Sequence, residues 1–148
     1  MSVFSHIMAG EIPASWVYQD EFCVAFMDIN PMSPGHVLVV PRLEVATLEE
    51  LPRELRAHLM DVTVRVAAAQ RKGLGSLAQH VLVNDGKAAS QTVPHVHFHV
   101  IPRYGRDQLV TMGRMMWHVA TLMLPLPVSE TKRTRLEAQA EQIKNALA

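Results

Sequence analysis

Apolar and polar positions along this chain change their period several times, and each change marks a new element. From Phe4 to Met8 the pattern predicts a short helical turn, ended by Gly10 and Pro13. Trp16 to Asp20 and Phe22 to Asp28 read as two strands around the acidic turn Asp20-Glu21. Asn30-Pro31-Met32-Ser33-Pro34-Gly35 reads as a rigid loop, because each proline fixes its φ. The continuous apolar run His36 to Pro41 predicts a buried strand. Leu51, Leu55, Leu59, Val62 and Val66 then recur at helical spacing. That helix opens at Thr47 or Pro52 and reaches about Lys72, with Gly73 and Gly75 as its stop. His80 to Val83 predicts another strand, and Asn84-Asp85-Gly86 a turn. The next strand is His95 to Ile101, ended by Pro102. Ser129 to Ala148 predicts a closing helix, with Ser129 as its cap and Leu136, Ala140, Ile143 and Leu147 on one face. Met115 to Leu126, broken by His118 and Pro125, reads as a buried or interface segment. Hairpin-like strands with one central helix indicate an α+β domain with an antiparallel sheet, a central helix and a C-terminal helix.

Composition narrows this. A chain of 148 residues, 49% apolar and 19% charged, suits one globular domain over 1–148. Fourteen basic side chains balance 14 acidic ones, so no net field argues for nucleic acid. The single cysteine, Cys23, excludes an internal disulfide and suits a reducing compartment. No signal peptide and no membrane-spanning stretch is visible, so the expected location is the cytoplasm.

The chemistry concentrates at His95-Val96-His97-Phe98-His99-Val100-Ile101. Period two puts the three histidines on one face of a strand and Val96, Phe98 and Val100 on the other. One face packs on a core while three imidazoles line up towards a ligand. Imidazole titrates near neutrality, so the row offers a nucleophile, proton donors and anion partners together. Upstream, residues 84–94 form a loop rich in small, amide and hydroxyl residues. It can bring backbone N–H groups close to an anion, and Asn84, Gln91 and Thr92 can hydrogen-bond phosphoryl oxygens. His36 follows the proline-rich loop, where a fourth imidazole could reach the same pocket. Asp28 could accept from a ribose diol or cap its turn; the residues alone leave both open.

The run HVHFHVI fits the His-φ-His-φ-His-φ-φ signature, φ being apolar, of the histidine triad superfamily. GEIPASWVYQDEFCVAFMDINPMSPGHVLVVPR resembles the amino-terminal half of its Hint-like branch, and NDGKAASQTVPHVHFHVIPR resembles the catalytic segment. The likeness covers roughly residues 3–104 and leaves the tail, 107–148, less typical. It implies an antiparallel sheet with two helices, continued across a homodimer. It also implies a hydrolase that binds purine nucleotides of the AMP or GMP type and cleaves at the α-phosphate. The expected substrates are nucleoside 5′-phosphoramidates or related conjugates; the alternatives are a dinucleoside polyphosphate hydrolase, or a nucleotide-binding scaffold with incidental catalysis. By the same resemblance His97 is the nucleophile that forms a nucleotidyl-histidine. His95 and His99 support it and contact phosphate, and His36 completes the pocket. Asn84, Gln91 and Thr92 surround the phosphate and leaving group, Asp28 binds the ribose hydroxyls, and Phe4, Ile7, Phe26 and Ile29 wall the base. His99 favours hydrolysis, since the nucleotidyl-transferase branch carries glutamine there.

Three departures stand out. Ser90, counted with the nucleotide-binding loop, occupies a position where the family usually has glycine. Pro94 precedes the triad where an aromatic or other residue can stand. Ser2 and Ser5 fill positions where several relatives hold zinc with a Cys-x-x-Cys, so no such zinc is expected. His-x-His is also a metal-ligand spacing, but no metal or other cofactor is expected. No nucleic-acid or membrane partner is expected either.

Overall fold

The computed structural model describes residues 1–105, 110, 112–114, 116, 117 and 127–147. Its elements are α1 (Val3–Met8), β1 (Trp16–Gln19), β2 (Cys23–Met27), β3 (Val37–Pro41), α2 (Arg53–Leu74), β4 (Ala78–Leu82), β5 (Phe98–Arg103) and α3 (Glu130–Leu147). The five strands form one antiparallel sheet in the order β1-β2-β3-β5-β4. This is the α+β architecture that the hydrophobic pattern predicts.

β2 and β3 are buried along their whole length, as continuous apolar runs require when both sheet faces are covered. On one face Ala25, Met27, Val37, Val39, Phe98 and Val100 pack against Leu59, Val62 and Val66 of α2 and Leu136, Ala140 and Ile143 of α3. On the other face Val24, Phe26, Leu38 and Val40 pack against Phe4 and Ile7 of α1. The sheet is thus held rigid from one side, while the thinner cover on the other leaves room for a cavity. Gln70 of α2, fully buried, donates to the carbonyls of Gly35 and Val100, both at 2.9 Å, and pins the helix to the strands beneath it.

The histidine run departs from its predicted strand. Pairing begins at Phe98, opposite Val39, so His95 and His97 lie ahead of β5. Pro94 cannot donate to a ladder, and the His95 N–H bonds Val93 O at 2.8 Å while Val96 N–H reaches Val45 O at 2.9 Å. The chain bends there, yet Val96, Phe98 and Val100 still enter the core as the alternation predicts. At the other end Pro102 does not stop the strand, which runs on to Arg103. The Arg103 carbonyl accepts from Leu77 N–H at 2.8 Å on the β4 side. Pro102 therefore faces the opposite side, where β3 pairing has ended at Val37 and a missing N–H costs no ladder bond.

Both predicted helix openings are used. Thr47 opens a short 3₁₀ turn over Leu48–Glu50, and Pro52 caps α2 itself. Glu50 accepts from the N–H groups of Ala46 and Thr47 at 2.8 and 3.1 Å. Gly73 does not end α2. The helix passes through it to Leu74 and stops at Gly75, whose φ of 71° is left-handed. β4 is Ala78–Leu82. Ser129 caps α3, its Oγ accepting from Lys132 N–H at 3.2 Å. Apart from Met116 and Trp117, both exposed, the predicted buried or interface segment Met115 to Leu126 lies outside the described residues.

Gly73 serves packing rather than termination. A Cβ built there would stand 2.5 Å from the Gln142 carbonyl oxygen and 3.2 Å from the Ala146 Cβ of α3. The missing side chain lets α2 and α3 touch by their backbones. Gly→Ala inside a helix ordinarily stabilises by up to about 1 kcal/mol. Here the sign reverses, because overpacking costs typically about 1–3 kcal/mol. Gly73→Ala is expected to lower the midpoint of thermal unfolding; a raised midpoint would show that the helices separate freely.

Candidate functional site

The triad is a row of buried imidazoles whose hydrogen-bond partners fix every proton. His97, 5% exposed, donates from Nδ1 to its neighbour's carbonyl, His95 O, at 2.8 Å. A carbonyl can only accept, so Nε2 of neutral His97 carries the lone pair. His95 donates from Nε2 to Pro41 O at 2.8 Å, which leaves its Nδ1 to accept from Ser2 Oγ at 2.7 Å. His36 Nδ1 accepts from Met32 N–H at 3.1 Å, so its proton sits on Nε2. That proton faces His99 Nδ1 at 3.0 Å, with Asp28 Oδ2 at 3.6 Å. His99, accepting on Nδ1, carries its own proton on Nε2.

The rings form a row of tilted and edge-on neighbours. Centroids of His97 and His99 are 4.9 Å apart and those of His36 and His99 5.2 Å, while Phe4 meets the ring of His97 at 5.0 Å and that of His95 at 5.7 Å. Burial pushes the pKa of His97 and of His95 below the ordinary imidazole value. Backbone carbonyls, helped by Asp28 for His97 and by Glu44 for His95, oppose that push without reversing it. Both rings are therefore neutral at pH 7.

A cavity of about 330 Å³ opens on the α1 side of the sheet. Of the predicted site residues, Phe4, Ile7, Phe26, Asp28, Ile29, Thr92, His97 and His99 line it. His36 and His95 stand behind this wall and hold the lining histidines. Asn84, Ser90 and Gln91 are not among the lining residues. They tie the loop together instead: Asn84 Nδ2 donates to Ser90 O at 3.5 Å, Gly86 N–H to Gln91 Oε1 at 2.8 Å, and Gln91 Nε2 to Ala46 O at 2.8 Å. Asp28 Oδ1 accepts from Asn30 N–H at 2.8 Å, so the turn-capping role is real, and Asp28 faces the cavity as well.

Further lining residues escaped the sequence reading. Leu38 was findable, since it alternates with Val37 and Val39 and pairs directly with His99. Ile12 to Ala14 and Asn30 adjoin predicted residues. Val128 and Arg133 come from the tail, where no motif pointed to them.

Ser2 and Ser5 join the site by hydrogen bonds. Ser2 Oγ accepts from Ser5 N–H at 3.2 Å as the α1 cap while donating to His95, and Ser5 Oγ donates to the Glu44 carboxylate. Among the described residues two groups gather metal-ligating atoms within 4.8 Å of one another: Asp28–His36–His99 and Asp20–Cys23–His58. In the first, His36 spends its proton on His99 and its lone pair on Met32. In the second, burial would raise the Asp20 carboxyl, but donors outweigh it: Cys23 and Phe22 N–H groups, the Tyr18 hydroxyl and His58 hold it below the ordinary range. Burial, with Asp20 beside it, pushes the Cys23 thiol up to about 12. A protonated thiol beside a saturated carboxylate is a structural cluster.

A buried, tautomer-locked imidazole facing an apolar cleft that holds one carboxylate presents a single basic nitrogen to a ligand. A HIT domain model matches residues 9–106, and the chain belongs to the HIT family. It is 41% identical to the adenylylsulfatase HINT3 of Arabidopsis thaliana over 107 residues, 72% of this chain and 54% of that protein. It is 37% identical to the adenosine 5′-monophosphoramidase HNT1 of Saccharomyces cerevisiae over 106 residues, 72% of this chain and 63% of that protein. The chain thus spans little more than half the length of these two relatives. A zinc-bound histidine triad family protein from Mycobacterium smegmatis superposes with a TM-score of 0.77 at 33% identity, covering 98% of this chain and 91% of that one. Among the described residues, no helix is long and apolar enough to cross a membrane.

The loop carries one measurable strain. Ser90 has φ 65°, the sole positive φ at a non-glycine among the described residues. This left-handed conformation costs an L-residue roughly 1–2 kcal/mol. Ser90→Gly is expected to raise stability by up to about 1 kcal/mol, or about 2–4 °C in melting midpoint for a chain of this size. An unchanged or lower midpoint would mean that the serine side chain offsets the strain.

Proposed function

We propose that this protein is a nucleotide hydrolase of phosphoramidase type, cleaving at the α-phosphate through a nucleotidyl-histidine at His97. The observation that carries this reading is the 2.8 Å bond from His97 Nδ1 to the His95 carbonyl, which sets the Nε2 lone pair on a neutral, buried ring. Nε2 attacks the α-phosphorus, the new N–P bond replaces the bond to the leaving group, and the departing atom takes up a proton. That proton comes from water, and is returned when the second water loses one; His99, with its own proton on Nε2 and lining the same cavity, donates a hydrogen bond to the phosphoryl oxygens. Water then attacks phosphorus, the N–P bond breaks, and a nucleoside monophosphate leaves with His97 restored. Asp28 accepts from the ribose hydroxyls, and Phe4, Ile7, Phe26 and Ile29 enclose the base. Asn84, Ser90 and Gln91 shape the loop that presents Thr92 to the phosphate. The two named relatives, a phosphoramidase and an adenylylsulfatase, support this substrate class.

The decisive assay is turnover of adenosine 5′-phosphoramidate beside a diadenosine polyphosphate. His97→Ala is expected to reduce phosphoramidate turnover by about 10³-fold or more, the scale of losing a covalent nucleophile, with the fold intact. Near wild-type turnover would refute covalent catalysis at His97. The pH profile of kcat/KM supplies a second check. The attacking form is neutral and its pKa is lowered, so the rate should stay flat through the ordinary imidazole range near 6.5 and fall only at more acid pH. An acid limb at or above 6.5 would contradict a buried neutral nucleophile.

The same reading includes a homodimer. β4 is the outermost strand beside β5, largely exposed, with Val81 44% exposed on it and Leu77 71% exposed just ahead of it. An unprotected edge of this kind is a pairing surface, and a two-fold pair is its closed solution. Light scattering at micromolar concentration should return twice the chain mass; a monomer would remove this part of the proposal.

A further inference from the structure

We propose that Arg133 reads the purine base and makes the site prefer a 6-oxopurine, guanine or hypoxanthine, over adenine. The proposal rests on the nucleotide reading above and extends it to a residue outside the family match. Arg133 lines the same cavity as Asp28 and His97. Its Nη1 is buried and has no hydrogen-bond partner. No carboxylate among the described residues pairs with it: Glu137, one turn further along α3, accepts from Ser15 Oγ at 2.7 Å instead. A buried donor on a charged group without an acceptor is costly, and turning that arm of the guanidinium to an acceptor on a ligand in the cavity would relieve the cost.

Its place decides which ligand atoms it meets. Ser15 holds Glu137, and Lys132 Nζ reaches Asn30 Oδ1 at 3.3 Å. This turn of α3 therefore lies against the segments ending at Ser15 and starting at Asn30. Thr92, His97 and His99 mark the phosphate end of the cavity, and Asp28 marks the ribose. Arg133 follows Lys132, which reaches Asn30 two residues past Asp28, and this directs Arg133 towards the base end of the cavity.

A guanidinium offers donors only, in a planar fork. Guanine and hypoxanthine present two adjacent acceptors, O6 and N7, to such a fork. Adenine presents N7 beside an amino donor, so one arm of the fork meets another donor. The same geometry makes arginine the common reader of guanine in nucleic acids, with discrimination of roughly tenfold or more. Among the described residues Phe4, Ile7, Phe26 and Ile29 make the rest of this wall apolar, and the Oδ1 of Asn30 already accepts from Lys132 Nζ.

The test is calorimetric titration of the full-length protein with GMP, AMP and 7-deaza-GMP. Wild type should bind GMP roughly tenfold more tightly than AMP, and 7-deaza-GMP, which lacks the N7 acceptor, more weakly than GMP. Arg133→Met should lose about that factor for GMP, change AMP by less than about threefold, and so abolish the preference. Arg133→Lys, with one compact ammonium, should bind GMP at an intermediate strength, and it keeps the test usable if the methionine variant melts early. Equal weakening of GMP and AMP, or no preference in wild type, would overturn base reading by Arg133. If wild type binds neither nucleotide, the nucleotide reading falls as well.

Discussion

Each imidazole has two nitrogens and, when neutral, one proton. That constraint governs this structure, because four of the rings are buried. Water cannot mend a wrong tautomer there, so every nitrogen needs a partner of the right sense. The protein meets it with fixed backbone groups. Carbonyls of His95 and Pro41 accept hydrogen bonds from His97 and His95, and the Met32 N–H donates one to His36. His97 reaches the carbonyl two residues back in the stretch ahead of β5, where the chain is off the regular ladder. One nitrogen of the row, Nε2 of His97, then remains to act as a base or nucleophile.

The two faces of the sheet divide the labour. One carries the closely packed layer of α2 and α3, with backbone contact at Gly73 and a buried amide bridge at Gln70. The other carries one short helix and the cavity. Rigidity on the first face is what allows a void of about 330 Å³ on the second without loss of register. Leu38 and His99 face each other across β3 and β5, so the floor of the cavity is itself sheet. A site on strands holds its groups more firmly than a site on loops.

Much of this was legible in the sequence, and the reasons are specific. Alternation identified Val96, Phe98 and Val100 as core, because burial depends on side-chain parity even where ladder pairing is absent. Continuous apolar runs identified β2 and β3. The reading failed where a residue's role is set by a distant neighbour. Gly73 resembles a helix stop, and only the approach of Gln142 shows that it is a packing glycine. Pro102 resembles a strand stop, and only the loss of β3 pairing shows that its missing N–H is harmless. In the site, Asp28 and the aromatic and aliphatic walls were legible through family likeness, and the turn-capping role of Asp28 through local chemistry. Arg133 was not, because it reaches the cavity through tertiary packing of α3, which leaves no local pattern.

The cavity thus combines two parts with different origins in the chain. The matched segment supplies neutral imidazoles and one carboxylate, tied to backbone and closely constrained. The C-terminal helix supplies a cation, attached to the sheet by side-chain contacts such as Ser15 with Glu137. Changes in the first part disturb tautomers and so threaten the chemistry itself. Changes in the second leave every imidazole partner in place. The helix therefore has freedom to vary the wall that a ligand's far end meets, while the reactive end stays fixed. A tail without motif beside a strict motif is the sequence pattern that this physical division produces.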